Sequence, residues 1–338
     1  MRSLLVITPS RVGDMVMAQS LFKVLKAQHP ERTIDVLAPD WMLPLLERMP
    51  EVRNVLDMPI GHGELKLGVL RRLGISLRDS HYDQAIVLPD SLTAALIPYW
   101  ARIPLRTGYS GGLRHWLLND CRRVDAQRLP MTVQRIVALG LPDGATLSGP
   151  IPSPGLMSDE GRRHATAERL GVCNQYKPVL ALCPGAESWP AKQWPEEGYT
   201  RVARHWLDQG WHVWLFGSGN DRPVCERINT LTGDGCHNLA GRTSLGEAID
   251  LLAMAAFVVT NDSGLMHAAA ALQRPMVAIF GSSDPGCAPP LSETAQVERL
   301  ELDCSPCCKR ECPLGHLKCL RDISAERIIT AMDEVMKR

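Results

Sequence analysis

The sequence predicts an α/β protein built from two Rossmann-like domains that face each other across a cleft. Strand-like apolar runs alternate with helix-like segments along most of the chain, which is typical of parallel sheets covered on both faces. At 338 residues the chain is also too long for one ordinary core. A stretch rich in Pro, Gly and Ser at 142–160 interrupts the alternation, which then restarts, so we expect a linker there.

The first half opens with a buried strand at 3–8, a turn at 11–14 and a helix at 15–28 with apolar side chains at helical spacing. The further elements that we predict are strands at 33–38, 53–57 and 85–88, and helices at 40–48, at 64–79 and from 91. The glycine-containing stretch 106–114 is predicted to be a mobile loop.

The second half repeats this alternation. We predict helices at 159–170, 196–208, 221–231 and 244–254, strands at 178–182, 212–216 and 236–239, and a strand–turn–helix–strand unit at 257–280. An amphipathic helix at 324–336 closes the chain. The predicted domains are therefore 1–150 and 151–322, followed by a C-terminal helical segment at 323–338.

Composition excludes several classes of function. Lys plus Arg and Asp plus Glu both number 37, so no general affinity for nucleic acid is expected. No apolar run is long enough to span a bilayer, and the chain begins directly with a strand, so we expect a cytoplasmic protein. No complete G-x-G-x-x-G motif occurs, which argues against a nicotinamide enzyme. No D-x-D pair occurs, which gives no support to a metal-chelated nucleotide diphosphate.

The unit at 257–280 carries a candidate anion site. Asp262 or Ser263 can cap the helix that follows, and the first N–H groups, such as those of Gly264 and Leu265, would then point out of its N-terminus. His267 lies in the first turn of the same helix. The alternative is an ordinary, well-capped helix without a ligand.

Ligands in parallel sheets lie beyond the carboxyl ends of the strands, so the loops after the other strands matter as well. The loop after the first strand holds Ser10, Arg11 and Asp14, and a carboxylate there can take a proton from a hydroxyl nucleophile. Lys192, between two Trp residues, can neutralise a phosphate. The alternatives are that Asp14 only caps a helix and that Lys192 is a solvated surface cation.

The loop after the strand at 212–216 holds Gly217, Gly219 and Asp221. An acidic residue at this place suits ribose hydroxyls, as in dinucleotide-binding folds.

Basic residues are concentrated in the first half of an otherwise neutral chain, which suggests an anionic second substrate, although solvated helix faces would also account for each one. These residues are Lys66, Arg71, Arg72, Arg78, Arg102, Arg106, Arg114, Arg122 and Arg123.

Five of the eleven cysteines crowd into one short stretch near the C-terminus. The cluster comprises Cys304, Cys307, Cys308, Cys312 and Cys319, with His316 among them. This spacing resembles a structural zinc site without matching a standard finger, and reduced or partly oxidised thiols in a loop are the alternative.

Several motifs, in order, resemble the ADP-heptose:lipopolysaccharide heptosyltransferases of glycosyltransferase family 9. The matching segments are VGDM at 12–15, QSL at 19–21, PGAE at 184–187, AK and WP at 191–195, FGS at 216–218 and TNDSGLMH at 260–267. MPIGHG at 58–63 and LLND at 117–120 also fit, and the similarity runs from residue 3 to about residue 302 with little shift in spacing.

The resemblance implies a GT-B fold and an inverting transfer that requires no cofactor. The donor would be ADP-L-glycero-β-D-manno-heptose, bound by the second domain, and the acceptor would be the first heptose on Kdo2–lipid A, bound by the first domain at the cytoplasmic face of the inner membrane. In GT-B folds the last helix often crosses back to the first domain, so the helix at 324–336 is expected to pack there.

The resemblance also assigns residues. Asp14 matches the family's proposed base, and Lys192 matches the residue that contacts the donor phosphates. The donor-binding set that it implies is Gly185, Ala186, Glu187, Lys192, Gly217, Asp221, Asp262, Ser263, Gly264, Leu265 and His267. For the acceptor we predict Ser10, Arg11, Lys66, Arg71, Arg106 and Arg114.

Three other functions stay open on the sequence alone. A related transferase of the same family could act on another inner-core acceptor. A nucleotide-sugar 2-epimerase with the same fold would leave the basic first domain unexplained. A binding module without catalysis would give Asp14 only a capping role.

Overall fold

The computed structural model describes residues 3–59, 66–147, 149–173, 177–186 and 189–338. The chain forms two compact units, Met1–Pro154 and Gly155–Arg338. Their border falls inside the Pro-, Gly- and Ser-rich stretch 142–160, four residues after the border predicted from the sequence.

The first unit contains a six-stranded sheet in the order β3-β2-β1-β4-β5-β6, with all strands parallel. Its strands are β1 Ser3–Ile7, β2 Thr33–Ala38, β3 Asn54–Asp57, β4 Gln84–Val87, β5 Leu105–Tyr109 and β6 Asp120–Arg122. Its helices are α1 Val12–Gln28, α2 Leu43–Leu46, α3 Leu67–Ser76, α4 Leu92–Trp100 and α5 Thr132–Ala138. Helix α1 packs with α5, and α3 packs with α4.

The second unit contains another six-stranded parallel sheet, in the order β12-β11-β10-β7-β8-β9. Its strands are β7 Val179–Cys183, β8 His212–Leu215, β9 His237–Asn238, β10 Phe257–Asn261, β11 Met276–Ile279 and β12 Ala295–Glu298. Its helices are α6 Glu160–Leu170, α7 Glu196–Asp208, α8 Arg222–Leu231, α9 Leu245–Leu252, α10 Gly264–Ala271, α11 Lys318–Arg321 and α12 Ala325–Met336.

The two sheets have the same topology. In each, the unit's first and fourth strands are neighbours at the centre, and the chain proceeds outward from them in opposite directions. This is the Rossmann order, and the reversal between the first and fourth strands creates the point at which such sheets bind ligands. The central strands β1, β7 and β10 are apolar along almost their whole length because helices cover both faces of the sheet.

The last helix belongs to the second unit, and the expectation that it also packs on the first stays a prediction. Its apolar side, including Ile328, Met332 and Val335, is buried in a core shared with α7 and β11. The side chains sit three or four residues apart and form one continuous apolar face, and the second sheet offers an apolar surface for that face to cover.

The sequence predicted a loop along the whole stretch 106–114, but only part of this stretch is a loop. Residues 106–109 belong to β5, which pairs with β4 on one side and with β6 on the other. Gly108 allows the close approach that this position needs, since a Cβ there would lie 3.0 Å from Leu118 Cδ1 and 3.1 Å from Val87 O. A glycine in the strand breaks the apolar pattern, which is why the sequence did not predict the strand.

The helices of the structure also bear on whether the chain crosses a membrane. Within the part of the chain that the structure describes, no helix has both the length and the apolar character needed to cross a bilayer.

Candidate active site

Two loops of the second unit meet where the strand order reverses. Strands β7 and β10 are paired neighbours, so the loop that follows β7 and the start of α10 lie at the same edge of the sheet. Most of the residues predicted for the donor are in these two segments. Glu187 is also predicted to bind the donor, but residues 187 and 188 lie outside the described ranges.

Asn261, the last residue of β10, ties the two segments together. Its side chain is fully buried and donates through Nδ2 to the carbonyl oxygens of Pro184 at 2.7 Å and Gly185 at 3.4 Å. Its Oδ1 accepts from the backbone N–H of Trp194 at 3.1 Å and from the Tyr199 hydroxyl at 3.0 Å. One amide side chain therefore fixes both ends of the loop that contains Lys192.

The N-terminus of α10 is capped by Ser263, not by Asp262. The Ser263 hydroxyl accepts from the Met266 N–H at 3.4 Å, so this N–H is used within the helix. The N–H groups of Gly264 and Leu265 belong to the first turn, where a helix provides no acceptor. They stand at the positive end of the helix dipole, which favours an anion.

Lys192 is held at this helix end by an ion pair. Its Nζ lies 2.7 Å from Asp262 Oδ2 and 4.9 Å from the centre of the Trp189 ring. The Asp262 carboxylate is nearly buried, whereas Lys192 retains partial exposure. The buried carboxylate and the indole together position the ammonium group, while one side of it still reaches solvent.

His267, one turn further along α10, is 5 % exposed. Burial lowers its pKa to about 4, and the positive charge of Lys192 acts in the same direction while Asp262 opposes both. The imidazole is therefore neutral at pH 7. A neutral ring can donate one hydrogen bond without adding a charge to the site.

Asp221 braces two glycine-containing loops. Its Oδ2 accepts hydrogen bonds from the Ser218 N–H at 2.8 Å and from the Ser218 hydroxyl at 2.7 Å. A Cβ at either Gly185 or Gly217 would overlap its side chain. The glycines are needed here for close packing, and Asp221 has a structural role beside the ribose contact that the sequence predicts for it.

The cysteine-rich segment supports the Lys192 loop from outside. Arg310 O accepts from the Ala191 N–H at 3.1 Å, and Lys309 O accepts from the Trp189 indole N–H at 2.8 Å. On the other side, the Ser282 N–H donates to Ala191 O at 3.2 Å. Trp189 and Ala191, just before Lys192, are thus attached to a segment that sequence analysis did not connect with the site.

Four of the cysteines line one small cavity of about 20 Å³ beside Ala191 and His316. These four are Cys304, Cys307, Cys312 and Cys319; Cys308 does not line the cavity. Among the described residues, no three His, Cys, Asp or Glu side chains are arranged as the ligands of one metal ion. The structure therefore gives the zinc hypothesis no set of ligands.

In the first unit, Asp14 lies in the first turn of α1, directly after the loop that follows β1. It is half-buried, as is Ser10, whereas Arg11 is exposed at the N-cap position of the helix. This loop flanks the reversal point of the first sheet, because β1 and β4 are neighbours. The carboxylate is therefore at the ligand-binding edge of its own sheet.

Four of the basic residues predicted for the acceptor fall into two groups. Lys66 and Arg71 are exposed near and on α3, where a ligand can reach them. Arg114 is only 1 % exposed and donates to Pro89 O and, at 3.2 Å, to Asp90. Arg106 is half-buried and donates to the carbonyl oxygens of Leu117 and Ile103, both at 2.7 Å.

These contacts correct the prediction for Arg114 and Arg106. Both guanidinium groups fix the turn at 110–117 in place, because their hydrogen bonds go to backbone carbonyl oxygens of the same unit. Sequence analysis counted their charges but could not see that the side chains fold inward.

Sequence analysis also missed the roles of Asn261, Trp189 and Trp194 in the second unit. Trp194 is buried, and its indole N–H donates to Ile323 O at 3.0 Å. A polar Asn at the end of an otherwise apolar strand was the one available signal, since a buried amide must satisfy its hydrogen bonds locally.

Comparisons with known proteins agree with this site. A family model described as glycosyltransferase family 9 (heptosyltransferase) matches residues 70–318. The lipopolysaccharide heptosyltransferase 2 of Escherichia coli K12 is 43 % identical over 342 residues, covering 98 % of both chains. The lipooligosaccharide heptosyltransferase 2 of Haemophilus influenzae is 43 % identical over 347 residues, covering 99 % of this chain and 100 % of the relative.

A solved structure of E. coli ADP-heptose lps heptosyltransferase II superposes with a TM-score of 0.89 at 41 % identity, covering 100 % of this chain and 99 % of that one. This agreement confirms the predicted α/β architecture of the GT-B type with two Rossmann-like units. The parallel sheets, the capped helix start beside Lys192 and the near-complete coverage all lead to one classification: the chain belongs to glycosyltransferase family 9.

Proposed function

We propose that this enzyme moves L-glycero-D-manno-heptose from ADP-heptose to the first heptose of the lipopolysaccharide inner core, heptosyl-Kdo2–lipid A. The observation that carries the proposal is the ion-paired Lys192 beside the N-terminus of α10, in a chain whose near-full-length relatives bear the name heptosyltransferase 2. A fixed ammonium group and a positive helix end together suit the diphosphate of a nucleotide-sugar donor.

The second unit is the proposed donor domain. Lys192 has three N–H donors, so it can contact a diphosphate oxygen while it keeps its bond to Asp262. The N–H groups of Gly264 and Leu265 add two uncharged donors at the same end of the helix. Because the transition state places growing negative charge on the leaving diphosphate, these pre-positioned groups stabilise it more than they stabilise the bound donor.

The remaining donor residues shape the adenosine side of the proposed site. Gly185, Ala186 and Gly217 bring backbone close to the ligand, and Asp221 holds their two loops together while offering a carboxylate to the ribose. Ser263 keeps the helix start in position through its cap. His267, neutral at pH 7, is proposed to donate a hydrogen bond to the donor without a charge of its own.

The first unit is the proposed acceptor domain, with Asp14 as general base. Asp14 removes the proton of an acceptor hydroxyl while that oxygen forms a bond to the anomeric carbon of heptose. The bond between this carbon and the diphosphate oxygen breaks, its electron pair leaves with ADP, and the configuration at the anomeric carbon inverts. The reaction needs no cofactor in this scheme, since Lys192 and the helix end neutralise the leaving group.

Exposed cations of the first unit serve the acceptor in this proposal. Ser10 and Arg11 are next to the base, and Lys66 and Arg71 offer charges for the anionic groups of the inner core. Since this acceptor is a lipid, the enzyme is proposed to work at the cytoplasmic face of the inner membrane as a peripheral protein.

The proposal is tested by ADP release from ADP-heptose with three acceptors: one ending in a single heptose, one ending in Kdo and one already carrying two heptoses. We expect release only with the first, together with the mass of one heptose added to the lipid. Release only with the Kdo-terminated acceptor would assign the first transfer instead, and release only with the third would assign a later one. Release without any acceptor, or none at all, would overturn the proposed reaction.

A further inference from the structure

One side of the first unit combines exposed apolar side chains with basic ones. Helix α4 buries Ala94, Ala95 and Ile97 on one side, yet its outward side is also apolar and carries Leu92 and Tyr99. A soluble surface helix normally turns polar residues outward. The outward side of α4 is therefore unusual for a helix that faces only water.

The 3₁₀ turn Gly112–Trp116 extends this surface. Its Leu113 is 68 % exposed and its Trp116 is 77 % exposed, the two highest values among the large apolar side chains of the described residues. The turn packs against α4. An exposed Trp on a short, well-held turn is typical of a side chain that inserts into another phase.

Hydrogen bonds of two arginines hold the turn and the helix together. At one end, Arg114 donates to Pro89 O and Asp90, just before α4 begins. At the other end, Arg106 donates to Leu117 O, and its guanidinium lies 5.8 Å from the centre of the Tyr99 ring. Leu92, Tyr99, Leu113 and Trp116 thus form one surface, which we call the α4 surface.

Basic residues surround the α4 surface. Arg102 follows the end of α4 and is exposed. On α3, Leu67 and Arg71 lie on the same side of the helix as Gly74, which contacts α4 so closely that a Cβ there would lie 2.7 Å from Trp100 Cβ. Arg71 therefore lies on the side of α3 that faces α4.

The two sequence stretches that form this part of the first unit contain basic residues but no acidic ones. Residues 66–78 and 91–119 contain seven Lys and Arg and no Asp or Glu, in a chain whose charges balance overall, and the exposed ones among the seven are Lys66, Arg71, Arg72 and Arg102. Asp90, directly before the second stretch, is paired with Arg114. A second copy of this chain would meet basic residues with basic ones here, so the charge pattern favours an anionic partner.

We propose that the α4 surface docks the protein onto an anionic phospholipid bilayer, with Trp116 and Leu113 inserted at the interface and Arg102 and Arg71 against lipid headgroups. Apolar insertion and headgroup attraction act together in such binding, and either one alone is weak. The inference rests on the peripheral membrane location in the proposed function and deepens it, whereas binding to vesicles is measured without the proposed reaction.

Vesicle flotation tests this proposal with the full chain and with neither donor nor acceptor present. The probes are vesicles of phosphatidylcholine alone and of phosphatidylcholine with about one third phosphatidylglycerol. We expect binding to the anionic vesicles, weak binding to the neutral ones, and loss of binding as salt rises. No binding to the anionic vesicles would overturn the proposal.

Two variants and two matched controls locate the contact. Leu113→Ser with Trp116→Ser should weaken binding to anionic vesicles at least tenfold, whereas Trp41→Ser, at an exposed Trp just after β2, should not change it. Arg102→Glu should weaken it several-fold and Lys337→Glu should not. Equal effects of variants and controls would overturn the location.

The main competing occupant is a second copy of the chain. Light scattering over a range of concentrations would then show a dimer that the Leu113→Ser, Trp116→Ser variant abolishes, without binding of the wild-type protein to vesicles. That outcome would replace the bilayer by a protein interface. All variants change exposed side chains, and thermal unfolding checks that each one folds.

Discussion

The two units share one strand order but differ in what stands at its reversal point. In the second unit, Asn261, Asp262 and His267 are all buried, and Asn261 and Asp262 are joined to their neighbours by hydrogen bonds and an ion pair. In the first unit, Ser10 and Asp14 are half-buried and Arg11 is exposed. The same topology thus supports one closed polar network and one open polar edge.

This difference indicates how each unit can bind its ligand. Buried polar groups are costly unless they are bonded, and the network around Asn261 is complete without a ligand, so the proposed donor would meet a pre-formed site. An open edge requires no such network and can receive a group that belongs to a much larger molecule. The fixed unit suits a small nucleotide sugar, and the open one suits a lipid-linked acceptor.

The largest effect that we expect comes from the open edge. Asp14→Asn removes the proposed base and should lower kcat by roughly two to four decades, because the attacking hydroxyl keeps its proton. Steady-state ADP release at saturating donor and acceptor measures it. Asp79→Asn, at another exposed helical turn of the same unit, is the matched control. A kcat within threefold of wild type would remove Asp14 from the chemistry.

The next effect concerns the closed network. Asn261→Ala removes four side-chain hydrogen bonds, three of them buried, and leaves Pro184 O and the Tyr199 hydroxyl without this partner. We expect the free energy of unfolding to fall by about 2–4 kcal/mol, measured by urea denaturation. Asn220→Ala changes an exposed amide of the same unit and should change stability by less than about 0.5 kcal/mol. Equal losses in both variants would contradict the role of Asn261.

A smaller, pH-dependent effect distinguishes the buried histidine. Burial lowers the pKa of His267 in the native protein to about 4. As the pH falls, the unfolded chain therefore binds a proton at this histidine near pH 6.5, whereas the native protein binds it only near pH 4. Stability contributed by the neutral ring is present above pH 6.5 and is lost as the pH falls towards 4.

His267→Gln should therefore flatten the pH dependence of unfolding in that window by roughly 2–3 kcal/mol. Urea midpoints at pH 7.5, 6, 5 and 4 measure this. His164→Gln, at an exposed histidine, should retain the wild-type slope. A variant at position 267 with an unchanged slope would show that the imidazole is protonated in the native state.

Local patterns predicted the strand, turn and helix at 257–271 of the second unit well. A β-branched run, a capping serine and an Ala-rich segment at 257–271 each favour the structure that forms there, and their agreement identified the helix start. The choice of Ser263 over Asp262 as cap could not be made from sequence, because both types of residue cap helices and only the ion pair with Lys192 separates them.

Tertiary contacts explain what the sequence did not reveal. Charge counting could not distinguish the exposed Arg71 from the buried Arg114, since the difference lies in the fold of the turn around the latter. The last helix has an amphipathic pattern that predicts burial but not the partner, and the partner is the second sheet. Strand β5 was missed because Gly108, which its close packing against neighbours requires, interrupts the apolar pattern of the strand.

The central claim is that the donor binds to the second unit and that Asp14 of the first unit takes no part in this binding. Titration calorimetry of ADP into wild type, Asp14→Asn and Lys192→Met tests it most directly. We expect Asp14→Asn to bind ADP within about twofold of wild type. Lys192→Met should bind roughly 10- to 100-fold more weakly, because it lacks a charged hydrogen bond to the diphosphate. Wild-type affinity in Lys192→Met, or a large loss in Asp14→Asn, would contradict the assignment of the donor to the second unit.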